Sequence, residues 1–278
     1  MKNRTIAILF HEADRHRRLN YNINKLADIW REEGHQVALV FGVSQFVPAD
    51  LVIVHVDLSV VPDAYLEFAR RYRIVLNGNV KDVRKRTYST LLVKPGDAYA
   101  GKVIVKSNLN YAGQPERARG VLAEPDGLIS AVPVFFSPAD YLIYDSPQEV
   151  PQSWYGDENI VVERFVPEME DGLYHLRHLH FLGDRMTSIR LAAPFPIVGG
   201  TSQLRIEEIE PHPEIVELRK AMRFDYGKFD YVVHEGKAVL LDANKTTGTG
   251  TIHATPQLLA GRRYRAAGIY SYFEQASG

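Results

Sequence analysis

Apolar positions fall into two kinds of run along this chain. In the first third, short continuous runs alternate with stretches of helical spacing. Residues 5–10 (TIAILF), 36–42 (ending VALVFG) and 50–56 (ending LVIVHV) read as strands buried on both faces. Between them, residues 20–33 carry Ile23, Leu26, Ala27 and Trp30 at helical spacing and stop at Gly34. Residues 63–72 predict a second helix, entered after Pro62, and 73–76 a short fourth strand ending at Asn77-Gly78. Strands alternating with helices predict a small parallel sheet with crossovers. Ligands bind beyond the carboxyl ends of such strands, where His11, Glu12, His55, Asp57 and Asn77 stand.

After residue 80 the pattern changes. Residues 80–93 (VKDVRKRTYSTLLV) predict a basic helix, broken by Pro95-Gly96. KVIVK at 102–106 is a strand, followed by a loop at 107–116. Residues 128–136 predict one or two short strands, and 141–146 another or a helical turn. Residues 159–166 form a strand, and 174–181 with 185–191 a hairpin turning at Gly183-Asp184. A loop spans 192–205 and a helix 213–223, with Ile215, Val216, Leu218 and Met222 inward. A second hairpin occupies 224–250, and a helical tail runs over 256–274.

That second hairpin carries the clearest chemistry. Asp242 and Asn244 are two apart and so share a strand face. A two- or four-residue turn around Glu235-Gly236 places Asp230 opposite Leu241, on the wrong face. A three-residue turn or a bulge places it opposite Asp242. Three hard oxygen donors on one face suit Mg²⁺; the alternative is exposed strand ends with no shared role.

Composition adds limits. The chain has 278 residues, 45% hydrophobic and 24% charged, which fits about two domains of a soluble globular protein. A formal net charge of −1 gives no global field for nucleic acid, so no nucleic-acid partner is expected. There is no cysteine, which excludes thiol chemistry and fits a cytoplasmic location. No apolar run is long enough to span a bilayer, no membrane partner is expected, and MKNRTIAILF is too short an apolar run for a signal peptide. Nothing in the sequence speaks to oligomeric state.

Two lysines complete the set: Lys85 on the basic segment and Lys106 at a strand end. Each suits a phosphate oxygen; each also reads as an ordinary surface lysine. The run RHRR at 15–18 reads as solvated surface, and the threonine-rich run 245–251 with His253 as a candidate substrate wall or a solvated loop.

The order of a basic segment, a strand ending in lysine, VVERFVPE and a terminal D…DxN hairpin resembles the ATP-grasp superfamily. That is the family of D-alanine–D-alanine ligase, glutathione synthetase and the ribosomal-protein glutamate ligases. The resemblance covers about residues 75–250. It implies an α/β (α+β ATP-grasp) fold, with an N-terminal parallel β/α domain and a two-subdomain ATP-grasp core. The expected boundaries are 1–94 for the N-terminal domain, 95–165 for a small lid-like subdomain, and 166–278 for the subdomain bearing the metal-binding hairpin. It implies ATP and Mg²⁺ as cofactors, with Lys85 and Lys106 on the ATP phosphates and residues 107–116 closing over them. The Arg164 carbonyl and Val166 amide would read adenine, and Glu168 would bind ribose. Arg177 and Arg190 would act at the γ-phosphate and acyl phosphate; their alternative is cross-strand pairing with acidic residues. Asp230, Asp242 and Asn244 would hold magnesium. The implied function is a ligase joining a small-molecule or peptide carboxylate to an amine-type (or thiol) acceptor, releasing ADP and phosphate. Asp242 stands where the family usually has glutamate, and Thr247-Gly248 where it has proline-glycine. The rival readings are a small-molecule kinase on the same scaffold and a non-enzymatic nucleotide-binding relative.

Overall fold

Residues 3–17, 20–122, 133–199, 203–249 and 256–276 are described by a computed structural model. The anticipated strand residues 128–132, together with Arg18, Gly250, Thr251 and His253, lie outside them. The first sheet is built from β1 (Thr5–Phe10), β2 (Gln36–Phe41), β3 (Leu51–Val54) and β4 (Ile74–Leu76), all parallel in the order β2-β1-β3-β4. Helices α1 (Asn22–Glu32) and α2 (Asp63–Ala69) make crossovers. The period of two in β1 separates two cores. Ile6, Ile8 and Phe10 pack with Trp30 of α1 and with Tyr226 and Phe273 from the C-terminal half. Ala7 and Leu9 pack on the other side with Phe68 and Tyr72. Asn77, anticipated near a ligand, is a clamp instead. Its Oδ1 accepts from the Asp225 and Tyr226 amides and its Nδ2 donates to the Tyr226 carbonyl.

The basic helix anticipated over 80–93 is a single turn, α3 (Lys85–Tyr88). Arg84 and Ser89 on either side are extended. The backbone amides here serve tertiary partners: Val83 donates to Ser59, Val93 to Val162, and the Leu91 carbonyl accepts from Arg164. Val80 and Val83 are buried in a third core. Packing and external hydrogen bonds override helix propensity at this point.

A second, antiparallel sheet has the order β6-β5-β7, with β5 (Val103–Ser107), β6 (Leu142–Tyr144) and β7 (Ile160–Arg164). The segment 107–116, anticipated as an open loop, closes the strand and then folds into a 3₁₀ turn (Asn110–Gly113) and α4 (Gln114–Ala118). Tyr111, Ala112 and Gly113 all have positive φ at this corner.

The third sheet is antiparallel and six-stranded, ordered β11-β10-β9-β12-β13, with β8 (Glu168–Glu170) beside β9. Its members are β9 (Leu173–Leu182), β10 (Arg185–Ala193), β11 (Arg205–Ile209), β12 (Tyr226–His234) and β13 (Lys237–Asn244). β11 was not anticipated; its sequence RIEEI has too little apolar alternation to stand out, and it exists because β10 offers an edge to pair with. Helix α5 (Pro213–Ala221) covers one face through Ile215, and α6 (Pro256–Ala266) lies on the other, against β9 and β10. The chain ends in α7 (Tyr270–Gln275). Just before it, Gly268 permits close approach to β9: a Cβ there would meet the Leu182 carbonyl oxygen at 1.9 Å. Among the described residues, no helix is long and apolar enough to cross a membrane.

Candidate active site

The β12–β13 hairpin decides the site. Its turn has two residues, Glu235 and Gly236, both at positive φ, closed by the His234–Lys237 pair. With a regular ladder Asp230 would face Leu241. The register shifts between Asp230 and Tyr231, so Tyr231 pairs with Leu240 and Asp230 with Asp242. Leu241 is therefore the extra residue of a β-bulge. The parity condition on this hairpin is met by the bulge, not by an odd turn. Directly opposed residues share a face. Lys228 opposes Asn244, and across β9 Asp230 opposes His178 and Lys228 opposes His180. Lys228, Asp230, Asp242, Asn244, His178 and His180 thus stand on one face.

The two lysines reach this hairpin. Lys106 Nζ donates to the carbonyl of the bulged Leu241 (3.3 Å) and lies 2.6 Å from Glu163 Oε2. Lys85 Nζ lies 2.9 Å from Asp242 Oδ1 and donates to the Leu109 carbonyl. Lys85 is only 2% exposed. Burial opposes its charge, but Asp242 beside it, together with Tyr141 and Glu163 nearby, outweighs burial and raises its pKa above the ordinary lysine value. The surface-lysine alternative fails for both. The Lys228 ammonium lies 2.9 Å from Asp230; nothing in the sequence singled it out except its even spacing from Asp230.

Asp230, Asp242 and Asn244 fit a hard cation. Asp230 Oδ1 is buried and makes no well-aligned hydrogen bond, although Lys228 is at ion-pair distance. Asn244 Oδ1 faces the Thr246 amide and hydroxyl. Among the described residues no group of three His, Asp or Glu side chains is poised for a metal ion. A cation here depends on the two carboxylates and the carboxamide, together with oxygens from a ligand.

Arg177 and Arg190 do not join this group. They oppose each other across β9 and β10, and Arg177 opposes Tyr231 on β12, so they occupy the other face of the sheet. Arg177 holds Glu168 bidentately (2.8–3.0 Å). Arg190 lies 3.0 Å from Glu168, 2.6 Å from Glu170 and 3.3 Å from Glu207. Their anticipated place at a γ-phosphate is corrected: one-residue parity along β9 and β10 turns them away, and carboxylates satisfy them there. Glu168 is corrected with them. Its Oε2, already bonded by Arg177, also accepts from the Val233 amide (2.7 Å), leaving little for a ribose. Burial works against its charge, but the arginines and that amide prevail and lower its pKa. Arg164 ends β7 with its side chain outside, donating to the Thr90 carbonyl, and Val166 follows two residues later.

No protein-family model matches the chain, and no curated protein matches it in sequence. Solved structures do. The ATP-grasp ligase PsnB, in complex with a minimal precursor, Mg and ADP, is 14% identical over 97% of each chain, with a TM-score of 0.50. A RimK domain ATP-grasp protein from Sphaerobacter thermophilus is 12% identical over 97% of this chain and 98% of that one, with a TM-score of 0.49. D-alanine–D-alanine ligase from Bacillus anthracis is 12% identical over 99% and 97%, also at 0.49. This chain has the ATP-grasp fold.

Beside the face that carries Lys228 and Asn244 lies a cavity of about 1360 Å³, walled by the segment entering α1, by α4, by the β9–β10 hairpin and by α6. Tyr21, Asp57, Arg119, Lys228, Asn244 and Thr246 line it. Asp57, a strand-end residue of the N-terminal sheet, is tied down by Tyr21 (2.6 Å), Thr246 (2.5 Å) and Arg119 (3.3 Å). His55 is fully buried among Phe10, Tyr21 and Tyr226, and burial lowers its pKa to about 4. His11 stacks on Tyr65, and neither it nor Glu12 lines the cavity. Lys245 is interior: its ammonium donates to the Leu58 carbonyl (2.7 Å), and burial lowers its pKa to about 8. Arg17, read as solvated surface, lines the cavity and donates to the Ala118 carbonyl.

Proposed function

We propose that the protein is an ATP- and Mg²⁺-dependent ligase that joins a carboxylate to an amine (or thiol) through an acyl phosphate. The observation that carries this reading is the bulge at Leu241. It puts Asp230, Asp242 and Asn244 on one face and gives Lys106 a carbonyl of the same hairpin as partner. In this reading Lys85, Lys106 and Lys228 meet the triphosphate, and Lys228 takes the place first given to Arg177 and Arg190. The Arg164 carbonyl and Val166 amide read the adenine edge. Asp230, Asp242 and Asn244 hold Mg²⁺, which supplies neutralisation of phosphate charge. The division into 1–94, 95–165 and 166–278 belongs to the same proposal, with ATP between the last two.

The chemistry needs positioning and charge stabilisation more than a protein nucleophile. A substrate carboxylate oxygen bonds to the γ-phosphorus as the bond from that phosphorus to its bridging oxygen breaks. ADP leaves with the electron pair. The amine lone pair then bonds to the acyl carbon, the carbon–oxygen bond to phosphate breaks, and the ammonium gives its proton to water. The solved neighbour bound to a minimal precursor, Mg and ADP supports a nucleotide, a metal and an acceptor or donor substrate held together on this fold.

The test is ADP and phosphate release over a panel of carboxylates with paired amines. The ligase reading expects both products together with a condensed amide. ADP formed with a phosphorylated acceptor and no free phosphate would instead identify a kinase. A thermal shift with millimolar Mg-ATP but no turnover would leave a non-enzymatic nucleotide-binding relative, and no shift would overturn the ATP reading.

A further inference from the structure

Resting on that ligase reading, a second feature of the cavity identifies part of its substrate. Helix α6 crosses β9 and β10 on the metal face and carries Arg262 and Arg265 one turn apart. Both line the cavity, at 8% and 6% exposure. Arg265 donates to the Thr187 hydroxyl, and Thr187 opposes His180 on β9. Arg262 has no hydrogen-bond or ion-pair partner among the described residues. No carboxylate in them pairs with either guanidinium.

The neighbouring charges do not make up the deficit. His180, Lys228 and His178 face the same space, and Lys228 is already matched by Asp230. Asp57 is matched by Arg119. Glu208 and Glu210 line the cavity but are exposed, and neither is within ion-pair distance of the arginines. Burial lowers the Arg265 pKa to about 10; the Tyr226 phenol opposes this, but no carboxylate does. An arginine largely screened from bulk water without a counter-charge is costly, and here two stand together on the cavity wall. On the other face of the sheet, Arg177 and Arg190 each have a carboxylate.

We propose that Arg262 and Arg265 form an oxyanion subsite that docks a carboxylate or phosphate of the substrate remote from its reacting group. The planar guanidinium fork suits either group bidentately. The substrate is then a dicarboxylate, an acidic peptide or a phosphorylated acid, not a simple monocarboxylate.

The test is calorimetric titration of the full chain, without nucleotide, using glutarate, butyrate and inorganic phosphate as probes. Glutarate or phosphate should bind saturably and more tightly than butyrate, and the stronger of the two names the oxyanion. Arg262→Gln should weaken that binding roughly tenfold or more, the range for losing a charge-assisted hydrogen bond. Arg262→Lys should recover part of it. Because Arg262 has no partner in the protein, Arg262→Gln should unfold at the same temperature or higher. The proposal is overturned if neither probe binds at about 10 mM, well above the millimolar affinities it requires. Equal binding by wild type and Arg262→Gln, or a lower unfolding temperature for the variant, also overturns it. Loss of the Mg-ATP thermal shift in Arg262→Gln would assign the arginine to the nucleotide and overturn it as well. If wild type shows no Mg-ATP shift but glutarate binding still depends on Arg262, the ligase reading fails while the oxyanion subsite stands.

Discussion

The two faces of the six-stranded sheet carry similar residues and do different things. On the α5 side, Arg177, Arg190 and Glu168 close on one another, with Glu170 and Glu207 at the rim. On the α6 side, Lys228, Asp230, Asp242 and Asn244 share a face, Lys228 and Asn244 line a cavity, and two arginines there lack a carboxylate partner among the described residues. The first face spends its charges on itself. The second leaves oxygen donors and cations for something outside the chain. Charge satisfaction, more than residue type, separates a structural cluster from a ligand site.

The largest effects should come from breaking the closed face. Glu168→Ala strips Arg177 of its carboxylate and the Val233 amide of its acceptor, takes one of the three carboxylates from Arg190, and should cost about 3–5 kcal/mol in urea unfolding. If the closed face is purely structural, any folded fraction keeps its Mg-ATP thermal shift. Asp242→Ala falls in the same range, because it strands the buried Lys85. It therefore confounds metal binding with folding and is a poor test of the open face.

Next comes a pH effect beneath the cavity. His55 titrates near 6.5 when unfolded and at about 4 in the fold, because burial excludes its charged form. A depressed folded pKa means the contribution is complete above pH 6.5 and is lost as pH falls towards 4. The loss is about 3 kcal/mol. Urea midpoints measured across that window should fall for wild type and flatten for His55→Leu; identical slopes would contradict the buried neutral imidazole.

Asp230→Asn probes the open face itself. Its partners Lys228 and His178 are partly exposed, so unfolding without ligand should change by about 1 kcal/mol or less. The Mg²⁺-dependent part of ATP stabilisation, about 2.7 kcal/mol at a hundredfold excess over Kd, should disappear. Differential scanning with ATP in the presence and absence of Mg²⁺ reads this directly. The smallest effect is expected at the turn that sets the register. Gly236→Ala forces a side chain into positive φ and should cost about 1 kcal/mol by urea unfolding, without moving the Mg-ATP shift.

Much of the fold was legible along the chain. β1, β2 and β3 are continuous apolar runs, and α1 shows its Ile23, Leu26, Ala27, Trp30 stripe plainly. Lys85, Lys106 and the hairpin residues could be named as candidates, and the structure brings all of them together. The mostly extended course of 80–93 was not legible, because its amides are claimed by Ser59, Val162 and other distant partners. Nor was the unpartnered state of Arg262, which depends on what a distant helix happens to cover.

Periodicity by itself determined which residues on one strand share a face, since that follows from backbone geometry within a single element. It placed Asp242 beside Asn244 and left Asp230 conditional. Only the tertiary structure decided the condition, through an extra residue at Leu241 that no local rule requires. It also decided that Arg177 and Arg190 turn away from Asp230, Asp242 and Asn244, because what packs against each face of a sheet is set by elements distant in sequence.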